Sequence, residues 1–231
     1  MSLERSSGQN TALKRLDIWN SAFNDFSEPL CNLNLESFTV GGCRNVHDTT
    51  LQGCHQNSTK SLTIRNCPTT DALDPSAFYS APLTDLAIWS NINHVNRTLL
   101  NHWPLMLSLY LDGHIRRIQK EDIESLNELE YLNLSGNQIS FVDDEAFNKN
   151  LNLNNIHFGY TDTFTHLSSS LKNLTHLSSL TLPDMTCSCP TMGAMKGGNY
   201  SYSSMFIGGN CKNVSGKSIK TYLNNDINAC P

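Results

Sequence analysis

Leu129-Glu130-Tyr131-Leu132-Asn133-Leu134-Ser135-Gly136-Asn137-Gln138-Ile139 reads L-x-x-L-x-L-x-x-N-x-I. Alternating apolar residues predict a short strand, because side chains two apart share one face. The same frame starts at Leu13, Leu35, Thr59, Leu83, Met106, Leu153 and Leu177. The steps between starts are 22, 24, 24, 23, 23, 24 and 24 residues. A fixed period of this size marks a repeat architecture rather than a single packed core. Each repeat places residues 4 and 6 inward, as with Leu132 and Leu134, where they bury against the next rung. Residue 9 turns the chain out of the strand. Asn or Cys there (Asn91, Asn137, Cys43, Cys67) satisfies backbone groups that the turn leaves unpaired. Ala77-Phe78 and Ala146-Phe147 are expected to plug the returning side. Ser21, His114, Thr161 and Met185 depart from the frame at residue 9, and Ile115 and Ile118 come one residue early. Local irregularity is expected in those repeats, with His114 a turn residue bonded to backbone rather than a ligand.

Composition agrees with a repeat protein. The 231 residues are many for one average domain, and only 16% are charged against about 25% in ordinary domains. Asn is abundant instead, with 27 copies. No run of 18 apolar residues exists, so no membrane insertion is expected. The net charge of −5 and scattered Lys and Arg disfavour nucleic acid. No G-x-S-x-G, H-E-x-x-H or phosphate loop is present, so neither an enzyme nor a cofactor or metal site is expected.

The repeats resemble the extracellular leucine-rich repeat family in its 24-residue form. The resemblance implies an α/β solenoid (a horseshoe of about eight repeats, mostly short parallel β). It divides the chain into a polar segment 1–12, repeats 13–185 and a C-terminal cysteine-rich cap 186–231. Cys187-Ser188-Cys189, Cys211 and Cys230, with Gly216 to Ile219 and Leu223, are similar to the family's cap. That likeness implies the bridges Cys187–Cys211 and Cys189–Cys230. The usual Asn-Pro lead-in and Trp-Leu of the cap are missing. A four-cysteine zinc site is the alternative, although C-x-C is a poor spacing for it.

Cys31, Cys43, Cys54 and Cys67 are placed differently. Cys43 and Cys67 fill residue 9 of neighbouring repeats, and Cys31 and Cys54 precede neighbouring strands. Equivalent rung positions lie about 5 Å apart, within reach of a disulfide. The expected bridges are Cys31–Cys54 and Cys43–Cys67, with free turn thiols as the alternative for Cys43 and Cys67. Six sequons, at Asn57, Asn96, Asn133, Asn173, Asn199 and Asn213, fit a secreted or extracellular protein. Residues 1–7 hold no apolar stretch, so a secretory signal would lie outside this sequence.

Solenoids of this family bind partners on the concave sheet. Exposed aromatic residues on a sheet favour interfaces. The candidate ligand-binding residues are Asp85, Trp89, Ser108, Tyr110, Asp112, Tyr131, Asn133 and His157. Cross-strand stacking that only stabilises the sheet is the competing account of these aromatics. The expected function is protein or glycan binding by a secreted adaptor of the immune or matrix type. The alternatives are the ectodomain of a Toll-like or adhesion receptor, or a piece of one, and an enzyme inhibitor. A homo- or hetero-dimer is possible. A glycan on Asn133 would obstruct the middle of the concave face.

Overall fold

The computed structural model describes residues 13–19, 33–42, 57–67, 78–159, 164–196 and 204–230. They fall into two compact units, Met1–Asn91 and Ile92–Pro231.

Among the described residues the first unit carries four parallel strands, β1 (Arg15–Trp19), β2 (Ser37–Gly41), β3 (Ser61–Arg65) and β4 (Asp85–Trp89). They pair in strict register. Leu16, Phe38, Leu62 and Leu86 form one inner row, and Ile18, Val40, Ile64 and Ile88 the other. From β2 to β4 these side chains are buried. Each rung also joins the next just before its strand, as where Lys60 N–H donates to Glu36 O at 2.9 Å. Thr59 stands where most repeats carry Leu. Its buried hydroxyl donates to Leu35 O at 3.1 Å, so the polar substitution leaves no unmet group. Phe78 is buried and stacks on Phe38, with ring centroids 5.8 Å apart. Cys67 is buried and disulfide-bonded, which excludes a free thiol there. Cys31, Cys43 and Cys54 lie outside the described residues, as do residues 1–12, Ala77 and Asn199.

The second unit repeats the pattern. Strands β5 (Ser108–Asp112), β7 (Tyr131–Asn133), β9 (Asn155–His157) and β10 (Ser179–Thr181) pair in parallel. Between them, β6 (Arg117–Ile118) and β8 (Phe141–Val142) make a small parallel sheet on the return segments. Leu109, Leu132, Ile156 and Leu180 are all fully or almost fully buried. Each is worth about 2 kcal/mol of transfer free energy. Phe147 and Phe158 meet edge to face behind the strands, 6.4 Å apart, and Phe158 meets Phe164 at 5.5 Å.

The turn after each strand shows where the repeat frame holds. Asn137 is buried and fully used. Its Nδ2 donates to Leu111 O (2.7 Å) and Leu134 O (2.9 Å), and its Oδ1 accepts from Ile115 N–H (3.1 Å). Asn91 does not play that part. It is exposed, and the neighbouring Ser90 is buried and accepts from Cys67 N–H at 3.3 Å. A short hydroxyl is enough there because it meets one donor, whereas Asn137 meets three backbone groups. At the short step, His114 points outward and Ile115 takes the core place with no exposure. The backbone N–H of His114 donates to Ile92 O at 2.7 Å.

The chain closes with β11 (Phe206–Gly208), which extends the sheet beside β10. Disulfides join Cys187 to Cys211 and Cys189 to Cys230, each with Cα atoms 5.2 Å apart. These are the pairs implied by the likeness to the family's cap. Helix Ile219–Asn225 is capped by Ser218, whose Oγ accepts from Thr221 N–H, and it buries Ile219 and Leu223. A closing strand was not foreseen from the sequence. It covers the outer edge of β10, which as an unpaired last strand would template other chains.

Candidate functional site

Sequence alternation sends residues 3 and 5 of every repeat, and residue 7 where the strand runs that far, to the outer strand face. The eight candidate residues divide between the two units. Asp85 and Trp89 belong to the first, and Ser108, Tyr110, Asp112, Tyr131, Asn133 and His157 to the second. Register separates them further. Tyr110 lies opposite Asn133, which lies opposite His157. Ser108 lies opposite Tyr131. Trp89 shares a row with Arg65 and Gly41. Tyr110 and Tyr131 therefore occupy different rows of the second unit, and Trp89 belongs to the first.

In the second unit the half-buried polar side chains hold one another. Asn133 Nδ2 donates to Tyr131 Oη at 3.1 Å. Its Oδ1 accepts from Ser135 N–H at 2.9 Å and from Ser135 Oγ at 2.5 Å. Tyr110 Oη lies 3.3 Å from Ser135 Oγ. The Tyr131 ring tilts against the His157 ring at 5.5 Å. Burial holds the His157 imidazole below its ordinary pKa, which favours the neutral ring, with one donor and one acceptor nitrogen. Asp112 is pushed the other way. Desolvation raises its pKa, and His114 only partly offsets this. Its carboxylate packs over Gly136, where the backbone has φ 89° and a Cβ would collide with the carboxyl group. The face thus presents aromatic rings, amides and hydroxyls in fixed positions, and no group of three metal-ligating side chains occurs among the described residues.

The first unit presents a different surface. The Arg65 guanidinium lies 3.6 Å from the centroid of the Trp89 ring and 5.9 Å from that of Trp19. Asp85 sits at the start of β4, exposed, accepting from Thr84 Oγ1 at 2.8 Å. Asp17 is held below the ordinary carboxylate pKa, chiefly by a hydrogen bond from Thr39 and then by Arg15. Trp19, Gly41 and Arg65 were not among the candidates chosen from the sequence. Their signal was present, because residue 7 of four successive repeats reads Trp, Gly, Arg, Trp.

The family model for the BspA-type leucine-rich repeat region matches residues 71–192 and 105–220, in six copies. The chain belongs to the BspA-type leucine-rich repeat family. No protein of curated function matches this BspA-type chain in sequence. Solved structures share its fold at low identity. A leucine-rich repeat protein of Leptospira interrogans superposes with a TM-score of 0.55 at 18% identity, over 76% of this chain and 50% of that one. The Toll-like receptor TLR13, solved with a single-stranded RNA, gives 0.51 at 17% identity, over 81% and 30%. An internalin of Listeria monocytogenes gives 0.50 at 17% identity, over 86% and 61%. The BspA-type chain spans less than two thirds of each of these structures.

Proposed function

We propose that the chain is an extracellular recognition protein, a secreted adaptor that binds a protein ligand on the strand face and catalyses no reaction. The leucine-rich repeat fold suits protein–protein recognition. One observation carries the assignment of the site. Tyr110, Tyr131, Asn133 and His157 stand half-exposed on the face of the second unit, already ordered by mutual bonds and ring contact. Tyr is enriched where proteins meet, and a side chain already fixed loses little entropy on binding. Disulfides in the structure fit an oxidising compartment. Among the described residues, no helix is long and apolar enough to cross a membrane.

Glycosylation enters the same reading. Asn57, Asn96 and Asn173 are exposed and suit glycans. Asn133 must stay bare, since its Nδ2 is bonded to Tyr131 and points into the ligand face. Asn213 pairs through both amide atoms with Cys187, at 2.8 Å each, which also disfavours a glycan. Peptide mass spectrometry of the secreted protein is expected to find Asn133 unoccupied, and full occupancy would refute this site.

The direct test immobilises the wild-type chain and a Tyr110→Ala/Tyr131→Ala double variant as baits for extracellular proteins. The partner recovered by the wild type should bind the variant at least about tenfold more weakly. Equal binding by a folded variant would contradict the assignment.

A further inference from the structure

We infer that the strand face of the first unit is a second recognition surface, built to receive a carboxylate side chain of a peptide or protein segment flanked by apolar residues. This rests on reading the strand faces as recognition surfaces, but the residues are different ones. Trp19, Gly41, Arg65 and Trp89 pair in register across four rungs. Gly41 has no side chain, and the Trp19 ring lies in the space a Cβ there would need. Trp19 still leaves half of its surface exposed. The result is a row of indole, guanidinium and indole. Below it the strand face is shallow, because Ser37, Thr39, Ser61, Thr63 and Ala87 are short.

Charge specifies the occupant. Arg15 is already paired with Asp17 at 2.9 Å. No carboxylate is bonded to the Arg65 guanidinium among the described residues, and its Nε is buried without a hydrogen-bond partner. With its carbon 3.6 Å from the indole centroid the guanidinium is restrained by the ring, and its terminal Nη edge has the fork that a carboxylate meets with two parallel bonds. One such cation fits one carboxylate. A polyanion would need several cations, and would meet Asp17 and Asp85 on the same face. Trp and Arg are, with Tyr, enriched among the energetic anchors of protein interfaces, and the two indoles supply apolar walls for the residues beside the acid.

The experiment selects random heptapeptides displayed on phage against the full chain, then measures synthetic versions of the selected peptides by calorimetry. The selected peptides should share a Glu or Asp next to apolar residues. Glu→Gln in the peptide should weaken binding at least tenfold. Arg65→Gln in the protein should do the same, and the two changes together should cost no more than either alone. Arg65→Lys keeps the charge without the planar fork, and guards against a folding defect in Arg65→Gln; it should lose part of the affinity. Binding that ignores both Arg65 and the peptide charge would overturn the inference. So would failure to enrich any peptide above the Arg65→Gln chain, or selection of acidic oligosaccharides from a glycan array in place of peptides. If Tyr110→Ala/Tyr131→Ala abolishes capture of the natural partner while these peptides bind equally to Arg65→Gln, only the first-unit surface fails. If neither set of residues matters, the reading of the strand faces fails with it.

Discussion

The two units repeat one interior pattern and differ on the outside. Inside, Phe38, Leu62 and Leu86 in one unit do the work of Leu109, Leu132 and Ile156 in the other. Outside, the first unit sets a cation between indoles, and the second sets amides and hydroxyls around tyrosines. Function on a scaffold lives in such a site and not in the scaffold itself. The inner rows decide whether a rung exists, and the outer rows are free to vary because solvent tolerates any of them.

The sharpest way to break the comparison is to attack what is common. Phe38→Ala removes a buried ring that also stacks on Phe78, and should cost about 3–5 kcal/mol. Chemical denaturation would register it as a lower midpoint, with the second unit's partner affinity retained under native conditions. Next comes Asn137→Ala, which takes the side-chain partner from Leu111 O and Ile115 N–H and leaves Leu134 O only the 3.4 Å bond from the backbone N–H of residue 137. It should cost about 2–4 kcal/mol, whereas Asn91→Ala, on an exposed residue, should stay within about 0.5 kcal/mol. Equal losses at the two Asn positions would refute the description of the turns.

Gly136→Ala should destabilise by about 1–3 kcal/mol, from the positive φ and from the Asp112 carboxylate in its way. Adding Asp112→Ala should recover the second part and leave the first, which thermal melts of the three variants would separate. The smallest effects are those of charge. Burial lowers the His157 pKa, so the unfolded chain binds its proton more readily than the folded one. Stability should therefore fall as pH drops through the ordinary imidazole range, and His157→Gln should flatten that slope in pH-dependent melts. Asp112 has the opposite sign. Its raised pKa means that its stabilising part is present only at acid pH and is lost as pH rises. Asp112→Asn should leave the melting temperature at neutral pH unchanged or slightly higher.

How far the sequence could be read follows the same division. Inner rows repeat, and repetition at about 24 residues exposed the L-x-L strand of each repeat from Leu16 to Leu180, but not β6 and β8 on the return segments. The bridges near the C-terminus were legible only through the likeness of Cys187, Cys189, Cys211 and Cys230 to the family's cap. Outer residues carry no periodic constraint, so exposed aromatics alone joined Trp89 of the first unit to Tyr110 and Tyr131, which lie in two rows of the second. Reading down residue 7 would have found Arg65 between Trp19 and Trp89. The exchange of Asn91 for Ser90 was hidden for another reason. It depends on which neighbouring N–H reaches the turn, a matter of local backbone path. β11 was missed because Met205 to Gly208 has no repeat frame around it, although Met205 and Ile207 are buried.

The central claim is that recognition takes place on the strand face. Hydrogen–deuterium exchange of the chain, alone and bound to its captured protein partner, tests it most directly. The account predicts added protection over residues 108–112, 131–133 and 155–157, with none at 117–118 or 141–142 on the return side. Protection confined to the return segments, with the strand face exchanging as in the free chain, would contradict it.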